Sequence, residues 1–302
     1  LDKKNYIQGL LMGALAFVIW GLLPLYWKLV KAITPYEIFS QRVVWSFVFV
    51  TVLMLVKGDF SKLVHIIKSP VQWRRIALPA IFISINWLLY IWAVNNNYVI
   101  ETSLGYYMNP LILTLFGAIF FKEKLDKYKK IGLTFAGVGV LLKTILYGRI
   151  PIIALVLAFC FAAYGLLKKK SALPSLMGLG FETFVIGIPS LIYLINVETS
   201  GVGISGNLSG WFWLLIATSG IVTATPLLLY AESTKRLPLN VVGFLQYIAP
   251  TIALFLGIYV FDEPFGVVEF IPFIIIWIGL VFFSYSQVRL VKAKTPSVKV
   301  EI

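Results

Sequence analysis

One arginine stands among apolar residues in EIFSQRVVWSFVFV, and it is Arg42. On a helix it shares a face with Ile38, Trp45 and Ser46. A guanidinium beside an indole can hold a carboxylate while stacking on the ring, although an arginine near a membrane surface can instead snorkel outward or brace a helix carbonyl. Glu182, in GFETFVIG, is its counterpart in the second half of the chain. It can hold a cation or titrate in a proton-coupled cycle, and a structural hydrogen bond accounts for it equally well. A third group is aromatic and amide: Asn86 and Tyr90 four apart, Tyr106, Asn109 and Pro110 together, and Gln246, Tyr247 and Pro250 matching them later. Trp20 and Tyr164 occupy equivalent places in two further stretches. Neutral donors beside aromatic walls suit an amphipathic small molecule, against the alternatives of an interfacial belt or of bonds that glue helices together.

Helices in a membrane must position these residues. The 302 residues are 60% hydrophobic and 13% charged, with a mean hydropathy of +0.91. A soluble domain carries about a quarter charged residues. Apolar stretches of about twenty residues recur along the chain, each long enough to cross a hydrocarbon core of about 30 Å. The expected spans are 9–30, 36–57, 76–95, 99–121, 128–146, 150–168, 175–195, 211–231, 239–261 and 266–288. The loops between them are too short for a soluble domain, so any site is built from helices. The first span contains Trp20, Pro24 and Lys28 and reads as a retained helix rather than a cleaved signal. Cys160 is the single cysteine, inside a span, which excludes an internal disulfide.

The net charge of +13 is one-sided. With the N-terminus inside, 21 of the 26 Lys and Arg fall in cytoplasmic loops and ends, while Lys28, Lys31, Lys143 and Arg149 lie outside and Arg42 lies within a span. That is the positive-inside rule, and it explains the basic loops without nucleic acid. Both termini are expected in the cytoplasm, with the protein in the bacterial inner membrane and the lipid bilayer as its surroundings.

The stretch PLILTLFGAIFFKE at 110–123 returns as PTIALFLGIYVFDE at 250–263. Aligned at an offset of 140, Leu88, Leu89, Tyr90, Tyr107, Pro110, Gly117 and Glu123 meet identical residues. Trp20-Gly-Leu-Leu23 answers Tyr164-Gly-Leu-Leu167. Each unit holds five helices, an odd number, so the second copy crosses in the opposite direction. The loops agree, because KLDKYKK follows Glu123 whereas PFGVVE follows Glu263. The expectation is an all-α membrane protein of ten transmembrane helices in two inverted five-helix repeats, 1–147 and 148–302, the second with a short basic tail. Inverted repeats are a common plan of secondary transporters, with a site near the midplane. Pro110 and Pro250 are expected to kink their spans as hinges, or to shape packing alone.

The runs NWLLYIWAVN (86–95), ETSLGYYMNPL (101–111), TATPLLLYA (223–231) and GFLQYIAPT (243–251), with WGLLPLYWK and QRVVWS, resemble the RarD-type proteins of the EamA branch of the drug/metabolite transporter superfamily. The resemblance implies ten helices, a central cavity formed mainly by helices 1–4 and 6–9, helices 5 and 10 at the periphery, and export of small metabolites or drugs. One departure is Gln41, where the family pattern leads to an expectation of His, which withholds a proton role from that position.

Two apparent motifs carry nothing. GVGISG (201–206) has dinucleotide-loop spacing but no strand before it, and GVGVLLKT (137–144) has Leu142 where a phosphate loop needs Gly. His65 is the single histidine, HExxH is absent, and no intramembrane acids form a close pair. A metal site and an ATP-driven pump therefore have no support, and a membrane-embedded lipid-modifying enzyme stays only as a minor alternative. The expectation is not an enzyme but a secondary transporter of a small amphipathic molecule, with no cofactor and a small-molecule substrate. A ligand-binding membrane receptor remains as the alternative, and a homodimer is left open.

Overall fold

The structure is a computed structural model that describes residues 3–122, 125–169, 173–204, 210–237, 242 and 245–294. Glu123 and the end of GVGISG lie outside the described residues. All regular structure among the described residues is helical: α1 Lys3–Leu29, α2 Pro35–Val56, α3 Phe60–Ile67, α4 Pro70–Asn95, α5 Val99–Phe121, α6 Lys127–Tyr147, α7 Ile152–Lys169, α8 Ser175–Thr199, α9 Gly210–Ala217, α10 Ser219–Arg236, α11 Ile248–Tyr259 and α12 Val267–Lys294.

Seven helical segments are long and apolar enough to cross a membrane: Lys4–Leu29, Pro35–Val56, Ala77–Asn95, Val99–Phe120, Leu176–Thr199, Gly210–Ser233 and Val267–Ser286. The other three expected spans hold α6, α7 and α11, of which Ile152–Leu167 and Ile248–Tyr259 are shorter apolar helices. The short helix α3 falls where a loop was expected. Span 8 is α9 and α10 joined at Thr218, whose hydroxyl donates to the Leu215 carbonyl at 2.7 Å.

Local signals set several helix ends. Thr34 caps α2 by accepting from the Glu37 N–H at 3.2 Å, and Pro35 takes the first helical position, where no N–H is needed. Asp126 caps α6 by accepting from the Lys129 N–H at 2.9 Å, and Gly148 ends it in the left-handed region at φ 63°. Both copies of the Pro-to-Glu stretch turn alike, since Lys122 has φ 54° and Asp262, 140 positions later, has φ 51°.

Exchange of the repeats maps α1 onto α7, α2 onto α8, α4 onto α9–α10, α5 onto α11 and α6 onto α12, and the packing follows that exchange. The pair α5 and α7 answers α11 and α1, α4 and α7 answers α10 and α1, while α2 with α8, α5 with α11 and α6 with α12 join equivalent helices directly. Small residues allow the closest crossings. A Cβ on Gly105 would stand 2.7 Å from the Ala154 carbonyl oxygen, and one on Gly220 only 2.2 Å from that of Trp45.

Contacts across the ends show the inversion. At one end Lys28, closing α1, donates to Asn97 Oδ1 at 2.5 Å, and Arg149 lies over the Tyr98 ring at 5.9 Å. At the other end Arg236, closing α10, donates to Gln8 Oε1 at 3.2 Å, and Ser286 bonds Asp126. The start of α1 and the end of α10 thus meet at one face, while α7 begins at the opposite one. Leu11, Leu15, Leu22 and Leu29 of α1 are exposed on the outside of the bundle, where lipid replaces water as solvent.

Candidate functional site

A cavity of about 80 Å³ lies between the repeats. One face of α1 gives it Phe17, Trp20 and Leu23, and α4 gives Asn86, Trp87 and Tyr90. Tyr106 comes from α5, Phe161 from α7 and Leu227 from α10. Gln246 reaches it from the turn before α11, and Ala249, Pro250 and Ala253 from α11 itself. Among the described residues, Arg42 of α2 is the one charged group in these walls.

Arg42 is only 3% exposed. Its guanidinium centre lies 4.2 Å from the Trp87 ring and 5.1 Å from the Trp27 ring, so two indoles from α4 and α1 enclose it. Nε donates to Thr223 Oγ1 of α10 at 2.8 Å. Among the described residues, buried Nη1 has no hydrogen-bond partner, and neither has the Trp27 indole Nε1. Tyr26, Tyr90 and Tyr106 are within electrostatic reach of the charge. The aromatic faces offset part of the cost of burying the cation, by about 2 kcal/mol for a desolvated contact. They leave an N–H direction open, and a buried donor without an acceptor calls for an explanation.

Asn86, 1% exposed, holds the neighbouring wall together. Its Nδ2 donates to the Leu157 carbonyl of α7 at 2.9 Å, and its Oδ1 accepts from the Tyr106 hydroxyl at 3.2 Å. Tyr106 in turn lies edge-on to Tyr90 at 5.7 Å and to Phe161 at 6.1 Å. This network fixes three helices around one side of the cavity, as satisfied buried polar groups do.

Of the residues singled out by sequence, Trp20, Arg42, Asn86, Tyr90, Tyr106, Gln246 and Pro250 meet at the cavity. The others lie elsewhere. Trp45 donates from Nε1 to Gln41 Oε1 at 3.2 Å on its own helix, and Trp27 and Trp87 take the places beside Arg42 that were expected of it. Tyr164 donates to Glu182 Oε2 at 3.0 Å, and Glu182, 2% exposed, is absent from the cavity wall. Tyr247 stacks on Tyr107 at 6.3 Å with its hydroxyl buried and unpartnered among the described residues, and Asn109 is buried with Oδ1 likewise unpartnered. Pro110 lies inside a continuous α5, with its carbonyl accepting from Thr114 Oγ1 at 2.9 Å.

Pro250 sits differently. Residues 246–247 form a turn, α11 starts at Ile248, and Pro250 is in its first turn, so span 9 is interrupted beside the cavity rather than kinked within a helix. The Pro250 carbonyl accepts from Ser103 Oγ of α5 at 2.7 Å. Irregular backbone at membrane depth is tolerated where it lines a cavity.

Phe17, Phe161 and Leu227 were not anticipated, because an apolar wall and a lipid-facing stripe have the same composition. Trp87 stands in the quoted NWLLY run and could have been found from its place beside Asn86. Among the described residues no group of three or more His, Cys, Asp or Glu is arranged to hold a metal.

Comparison with known proteins agrees with this architecture. The EamA-like transporter family matches twice, over residues 7–145 and 149–285. An uncharacterized transporter, YojE, of Bacillus subtilis (strain 168) is 43% identical over 93% of this chain and 95% of its own length. Protein RarD of Escherichia coli (strain K12) is 38% identical over 95% of this chain and 97% of its own length. A solved crystal structure aligns over 91% of this chain and 96% of its own with a TM-score of 0.58 at 20% identity, which is a likeness of fold.

Proposed function

The chain belongs to the EamA-like transporter family, and from that premise we propose that it is a secondary carrier that exports a small amphipathic anion from the cytoplasm. The observation that carries this reading is Arg42 Nη1, a charge-bearing donor buried at the cavity without an acceptor among the described residues. An anionic cargo supplies that acceptor while its apolar body lies against Trp20, Tyr90, Tyr106 and Phe161. Among the described residues no acidic side chain lines the cavity. A monoanion is therefore neutralised by the site, whereas an ammonium group would meet neutral acceptors only.

The cavity is smaller than the roughly 300–1,000 Å³ of ordinary ligand pockets, which supports reading the conformation as an occluded one. Binding and release then require the units 1–147 and 148–302 to move against each other, with the break before α11 and the proline in α5 as hinges. The distribution of Lys and Arg supports a cytoplasmic N-terminus, which places the end that holds Lys28 and Glu263 outside.

The test compares extracellular metabolites of cells producing wild type, Arg42→Lys, Arg42→Ala or no carrier, at matched membrane levels. A compound enriched outside with the wild type, reduced with Lys and lost with Ala is the expected result. Coincident profiles for wild type and Arg42→Ala would remove Arg42 from the transport step, and coincidence of all four would leave binding without turnover as the better reading.

A further inference from the structure

The repeated Pro-to-Glu stretch ends, in its second copy, on Glu263, which the cavity does not use. Glu263 follows α11, is 7% exposed, and turns its carboxylate to the other repeat. Oε1 accepts from the Val99 N–H at 2.7 Å and Oε2 from the Ile100 N–H at 2.8 Å. These two N–H groups open α5 and have no intrahelical acceptor, and Tyr98 at the cap position makes no side-chain cap. A carboxylate from the opposite repeat supplies the cap, at the positive end of the helix dipole.

The surroundings bring the two repeats to this contact. A Cβ on Gly257 would stand 2.7 Å from Ile100 Cγ1, so the glycine lets α11 approach the first turn of α5. The Glu263 N–H donates to the Gly257 carbonyl at 2.9 Å, and the left-handed Asp262 turns the chain just before it. Lys28, bonded to Asn97, lies over the Phe261 ring at 5.1 Å and within electrostatic reach of Glu263. Beneath lies a fully buried apolar plug that includes Trp27, Val30, Val94, Val99 and Ile216, and reaches the cavity at Ala253.

We propose that Glu263 is the outer gate residue of the carrier, its carboxylate holding the start of α5 against the end of α11 in the occluded state and releasing it when the cavity opens outward. The inference rests on the carrier reading and orientation given above. Burial raises the Glu263 pKa from its ordinary value, against the pull of the Ile100 and Val99 N–H groups and of Lys28. Burial thus weighs against the charged form in the closed clasp, and hydration of the carboxylate favours its release. Glu123, its sequence counterpart, lies outside the described residues.

The gate is tested without any cargo. In a Cys160→Ser background, Ala253→Cys is labelled in intact cells with a membrane-impermeant methanethiosulfonate, with Val202→Cys, on an exposed loop at the same end, as the reactivity standard. Ala136→Cys, buried between α6 and α12, reports the fold. Adding Glu263→Ala is expected to speed labelling of the thiol at position 253 at least about 10-fold, the loss of charge-assisted bonds to two N–H groups, with Glu263→Asp between it and the unaltered acid. Equal rates at position 253 with Glu263 present or replaced by alanine would overturn the proposal. So would a parallel rise at position 136, which would make the carboxylate a cap that holds the fold. Faster labelling alongside failed export would leave the gate standing and count against the assigned cargo alone.

Discussion

Arg42 and Glu182 stand 140 residues apart, at corresponding places in the two repeats, and the fold gives them different surroundings. Arg42 lines the cavity, is enclosed by indoles from α1 and α4, and is bonded to Thr223 through Nε, with Nη1 unpartnered among the described residues. Glu182 is as deeply buried but accepts from Tyr164 and lies away from the cavity wall. The inverted repeat therefore builds a symmetric scaffold around an asymmetric site. Tyr90 and Tyr230, another matched pair, repeat the lesson, because Tyr90 lines the cavity whereas Tyr230 packs on Phe17 and Trp20 beside it. In the proposed carrier, symmetry of helices serves motion, and a site for one kind of cargo needs only one half to carry the charge.

The comparison can be broken or sharpened by substitution. The largest effect is expected for Arg42→Ala, about a 100-fold loss of transport at matched protein, because a charged hydrogen bond to the cargo disappears. Asn86→Ala comes next, with about a 10-fold loss, since it frees the Tyr106 hydroxyl and the Leu157 carbonyl at the cavity wall. Thr223→Ala removes the bond that orients the guanidinium and is expected to cost about 3- to 10-fold, mostly in apparent affinity for cargo. Glu182→Gln, whose amide oxygen still accepts from Tyr164, is expected to leave transport within about 2-fold. Initial rates in proteoliposomes check all four. Loss of transport in Glu182→Gln would place that acid in the machinery and end the contrast.

Much of the architecture can be read from the chain. Apolar length gives the spans, the offset of 140 gives the repeat, and the sign of the loops gives its inversion, because each is a property of segments rather than of contacts. The site is legible only in part. Spacing on one helix names neighbours at i+3 and i+4, so Trp45 is the indole expected beside Arg42. The indoles that enclose it come from other helices, and spacing has no access to them. The same limit hides the Tyr164 bond that occupies Glu182. Breaks at Thr218 and before Ile248 are also out of reach, since hydropathy counts residues and not turns. Pro250 marks the second break but reads as a kink, because a proline in a first helical turn and one in a helix interior look alike in sequence.

The central claim is that Arg42 holds an anionic cargo in the cavity. Its most direct test is the initial rate of uptake into proteoliposomes of the compound that wild-type cells enrich outside, for wild type, Arg42→Lys and Arg42→Ala at equal incorporation. The account predicts that Lys keeps about a tenth of the wild-type rate, retaining the charge without the planar stacked fork, and that Ala falls to about a hundredth. An Arg42→Ala rate equal to wild type would contradict it.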